Sequence, residues 1–80
     1  MPHVLVSVVA GHPLGARRAL AARIVAAVTD TLDSEVDEVS VAIREVPAND
    51  WMAAVYAPEI VAHEDLLFKR PGYGPLAQQS

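Results

Sequence analysis

The first half of the chain changes its hydrophobic period twice, and those two changes constrain the fold more than any other feature. Residues 3–9, HVLVSVV, carry Val and Leu at odd and even positions alike. Such a run reads as a strand buried on both faces, the pattern of a parallel sheet. Gly11, Pro13 and Gly15 break it into a loop. From Leu14 to Leu32 the period lengthens. Leu20, Ile24, Val28 and Leu32 fall four apart, with Ala21, Val25 and Ala27 beside them. This spacing predicts an amphipathic helix of about five turns, ended by Asp33-Ser34-Glu35. Over residues 38–46 the period becomes two: Val39, Val41 and Ile43 face one way, and Ser40, Ala42 and Arg44 the other. Strand, helix and strand in this order make a βαβ unit with two parallel strands, an α/β (α+β) fold with the helix on the Val39, Val41 and Ile43 face.

Two strands are not a stable sheet. They leave two unpaired edges, and these strands are too apolar to stand exposed. The chain has 80 residues with only 5% aromatics, so its core is made of small side chains. At this size about 60% of the unfolded surface is buried. Cysteine is absent, which removes disulfides as staples, and the three histidines are too scattered for a structural zinc site. The remaining remedy is self-association, with a second copy completing a larger sheet. Downstream, Pro47 closes the second strand, and Asn49 or Asp50 can cap a short turn carrying Trp51. Pro58 and Glu59 suit a helix start, Lys69 and Arg70 a helix end, and Pro71-Gly72 a stop. A second helix near the C-terminus, running from about Pro58, is therefore predicted. Residues 1–74 form one expected domain, and residues 75–80 a tail.

The formal charge of −4 speaks against nucleic-acid binding, and the apolar runs are too short to span a membrane. With no basic leader, a soluble cytoplasmic protein is expected. There is no Ser/His/Asp array, no glycine fingerprint for phosphate and no ligand-spaced Cys/His cluster. What remains is the N-terminus. Met1 precedes Pro2, and a small second residue favours removal of the methionine. The product begins with a free secondary amine. Burial and nearby cations lower the pKa of such a group, which lets it take and return a proton near neutral pH.

The segments Met1-Pro2-His3-Val4 and Val41-Ala42-Ile43-Arg44-Glu45-Val46-Pro47, with Asp50-Trp51 after them, resemble the tautomerase superfamily, the 4-oxalocrotonate tautomerase group. The stretch from Ile60 to Pro71-Gly72-Tyr73 is similar to a small dimeric bacterial branch acting on enol–keto pairs such as phenylpyruvate. The resemblance implies a βαβ tautomerase fold with Pro2 as catalytic general acid–base, no cofactor and no metal. The implied partners are a small keto or enol acid and the chain itself, as a homodimer or alternatively a homohexamer.

Better-known members carry an arginine just after the glycine that ends strand one and another in the second strand. His12 and Ser40 stand at those positions here. The substitution implies a substrate with one carboxylate or a more apolar body. Trp51 sits where the resemblance places an aromatic wall of the site, and it could equally be a core lid on the sheet. Arg44 shares a strand face with Ser40, so it could supply the missing cation or be a surface arginine paired with Glu45 or Asp50. His12, expected in the loop near Pro2, could polarise a carbonyl or face solvent. Arg17, Arg18 and Arg23 sit early in the helix, against its dipole; they form a solvated face, or subunit contacts or an anionic ligand offset them. Two alternatives stay open: a non-catalytic homo-oligomer that binds a small ligand, and a dehalogenase or hydratase of small unsaturated acids.

Overall fold

The computed structural model describes residues 1–78. They divide into two compact units, one ending at Ala48 and the other beginning at Asn49.

The first unit is the βαβ motif. Strand β1 covers His3–Val9, helix α1 Leu14–Leu32 and strand β2 Ser40–Val46. The two strands pair in parallel, with His3 opposite Ser40, Leu5 opposite Ala42, Ser7 opposite Arg44 and Val9 opposite Val46. Alternation sorts the side chains as the period-two pattern requires. Val4, Val6 and Val8 on β1, and Val39, Val41 and Ile43 on and before β2, are half-buried. Helix α1 covers this face with Ala21, Ile24, Val25 and Val28, all half-buried. On the other face Leu5 is 53% exposed and Val9 37%, whereas Val46, in register with Val9, is buried at 5%. Asp33 ends α1 in the left-handed conformation, at φ 57°, one of the few non-glycine residue types that enter it readily. A 3₁₀ turn at Val36–Glu38 leads into β2, and the Glu35 and Glu38 side chains cap each other's backbone N–H groups there.

The second unit corrects the expected second helix. It runs over Met52–Val61, here α2, rather than from Pro58 to Arg70. Pro58 lies inside it and not at its first turn. The helix is of the wide π type, as the bond from the Ala62 N–H to the Ala57 carbonyl, five residues back at 3.1 Å, illustrates. In a regular α-helix the Pro58 ring would clash with the carbonyl of Ala54 and would leave its partner unbonded. Wider turns relieve that conflict while burying Val55 and Tyr56, which are 3% and 1% exposed. Beyond α2 the chain makes short 3₁₀ turns at Glu64–Leu66 and Pro75–Gln78. Lys69 and Arg70 therefore cap no long helix; Arg70 pairs with Glu64 at 2.7 Å. Leu76, in the stretch expected to be a tail, is 3% exposed.

Candidate active site

Pro2 stands one residue before β1 and is half-buried. Its carbonyl accepts the Ser40 N–H at 3.2 Å, so the strand pairing holds its backbone. On the neighbouring rung, His3 Nδ1 and Ser40 Oγ share a hydrogen bond of 2.6 Å. Met1 is fully exposed, and its amino nitrogen lies 3.9 Å from Glu38 Oε2. The heads of the two strands thus gather Pro2, His3, Glu38 and Ser40. Arg44 lies four residues further along β2, on the same face as Ser40 and paired in register with Ser7.

His12 is not part of this group, contrary to its expected place near Pro2. The seven residues of β1 run straight between them. At about 3.3 Å per residue they hold the two ends roughly 20 Å apart. His12 instead belongs to a cluster at the other end of the strands. A cavity of about 130 Å³ there is lined by Val8, His12, Ala16, Arg17, Leu20 and Ile43. Arg17 closes one side. Its guanidinium pairs with Glu45 of β2 at 3.1 Å, and its Nε–H donates to the His12 carbonyl at 3.2 Å. Glu45 also accepts the Gly11 N–H at 3.2 Å. The misplaced charge early in α1 therefore has an intrachain partner: it clasps the helix start to β2. Glu45 is accordingly committed to Arg17, a pairing that residues 28 positions apart in sequence do not announce.

Trp51, in the second unit, immediately precedes α2 and is half-buried. Its indole N–H donates to the Tyr73 hydroxyl at 2.8 Å. Tyr73 packs edge-on against Tyr56, with ring centroids 5.1 Å apart at 71°. The role of Glu38 at the strand heads was missed, although Glu35 and Glu38 at capping-box spacing were the available signal.

A βαβ unit with two parallel strands and its helix on one sheet face defines a class of small α+β protein. The tautomerase enzyme family matches residues 2–59, beginning at Pro2. The chain is 43% identical over 77 residues to a protein of Xylella fastidiosa described as a probable tautomerase, with 96% of this chain and 94% of that one covered. It is 40% identical over 57 residues to the tautomerase PptA of an Enterobacter species, covering 71% of this chain and 75% of the relative. Against the tautomerase PptA of Cronobacter sakazakii the identity is 35% over 57 residues, with the same shares covered. The chain belongs to the tautomerase family and is an isomerase.

Proposed function

We propose that the protein moves a proton between oxygen and carbon of a small 2-keto acid, with Pro2 as the single acid–base group after removal of Met1. The observation that carries the reading is the placement of Pro2. Its ring begins the family match, and its carbonyl is pinned to Ser40 at the strand head. A secondary amine in a ring fixed at one end has little freedom, and acid–base catalysis depends on such positioning. Met1 is fully exposed, so its loss removes no buried contact.

In the ketonising direction, the Pro2 nitrogen takes the enol O–H proton and delivers it to C3, the far carbon of the double bond, as the C2=O bond forms. The enolate-like charge between the two steps is held by hydrogen-bond donors near the carboxylate and oxygen. Ser40, Arg44, His12 and Trp51 remain the proposed substrate-binding residues, and no cofactor enters the scheme. With His12 about 20 Å along the strand, it can reach a substrate at Pro2 only from another copy. That supports a homo-oligomer, proposed here as a dimer. The exposed apolar side chains of Leu5 and Val9 support the same assembly.

The test is ketonisation of phenylpyruvate enol by protein of verified intact mass. Pro2→Ala should lower kcat/KM by about 10²–10⁴-fold. Protein retaining Met1 should be nearly silent, because its Pro2 nitrogen is an amide. Full activity with Met1 attached refutes the mechanism. A sedimentation mass of one chain or of six overturns the dimer.

A further inference from the structure

The family match stops at residue 59, and the partner of Trp51 lies beyond it. We infer that Tyr73 is a positioning residue that fixes the Trp51 indole and uses up its polar atom, so that Trp51 offers substrate a purely apolar wall selecting an aromatic or aliphatic tail. This deepens the proposed function and rests on its assignment of Trp51 to substrate binding.

The indole N–H is the only hydrogen-bonding group of tryptophan, and here it donates to Tyr73 Oη at 2.8 Å. Tyr73 is itself held from two further directions. Its ring meets the edge of Tyr56, and its carbonyl accepts the Tyr56 O–H at 2.7 Å. The Tyr56 oxygen in turn accepts the Leu76 N–H at 3.0 Å, so both roles of that hydroxyl are filled. Gly74 follows in the left-handed region at φ +69°, and a Cβ there would stand 2.8 Å from the Tyr56 ring. That close approach presses the turn carrying Tyr73 onto a residue 1% exposed. The anchor is therefore rigid, while the Tyr73–Trp51 bond itself lies at the surface, with Tyr73 48% exposed. A bond in that position adds little to stability, since water can replace it. Its structural consequence is the orientation of the indole.

The chain has one tryptophan, so its fluorescence reports Trp51 alone. Tyr73→Phe keeps the ring contact with Tyr56 and deletes only the hydroxyl. Acrylamide should quench the variant more strongly than the wild type, with the unfolding midpoint nearly unchanged. In the phenylpyruvate enol assay, KM should rise about 2-fold, the low end of one hydrogen bond, while kcat stays close to wild type. On a Trp51→Phe background the same Tyr73→Phe change should leave KM unmoved. Equal quenching in the two proteins, or an equal KM rise in both backgrounds, overturns the positioning role. A wild type that is inactive on the enol refutes the substrate reading, and with it the selective wall. The quenching comparison then decides by itself whether Tyr73 orients the indole.

Discussion

Tyr56→Phe removes one oxygen and breaks two bonds at once. The hydroxyl donates to the Tyr73 carbonyl at 2.7 Å and accepts the Leu76 N–H at 3.0 Å. Tyr56 and Leu76 are 1% and 3% exposed, so water does not readily replace the lost oxygen at the Leu76 amide. A buried donor left unpaired costs about 1–3 kcal/mol. The Tyr73 carbonyl is only part-buried and can recruit water, adding about 0.5–1 kcal/mol. The sum is about 1.5–4 kcal/mol. A chain of 80 residues has a total stability of about 4–12 kcal/mol at ~0.05–0.15 per residue. One atom therefore holds a large share of it. The melting temperature should fall by about 6–32 °C at ~4–8 °C per kcal/mol. The assay is urea and thermal unfolding of both proteins at one protomer concentration, because association stabilises by mass action. A loss below about 0.5 kcal/mol, the size of an ordinary surface substitution, would refute the reasoning.

Gly74→Ala should cost about 2–4 kcal/mol by combining a left-handed backbone at φ +69° with a Cβ 2.8 Å from the buried Tyr56 ring; an unfolding midpoint equal to wild type contradicts the packing of that turn. Arg17→Ala should cost about 0.5–1 kcal/mol, since the pair with Glu45 is only 28% and 30% exposed. In a double-mutant cycle with Glu45→Ala, measured by urea unfolding, a coupling energy of zero or one unaffected by salt removes the clasp.

The βαβ unit was legible because its signals are local. Hydrophobic period is a property of consecutive residues, and it placed β1, α1 and β2 to within two residues while assigning Val41 and Ile43 to one face and Ser40, Ala42 and Arg44 to the other. The failures are those that the pattern of consecutive residues does not set. Pro58 obeys the local rule for a helix start, yet α2 begins at Met52 and widens around it, where Val55 and Tyr56 become buried. His12 looked close to Pro2 along the chain, but a seven-residue strand keeps them at opposite ends. Arg17 found Glu45, and Trp51 found Tyr73 across 22 residues. Periodicity says which face of an element turns inward. Which side chain it meets there depends on how the chain folds back, and only the tertiary structure decides that.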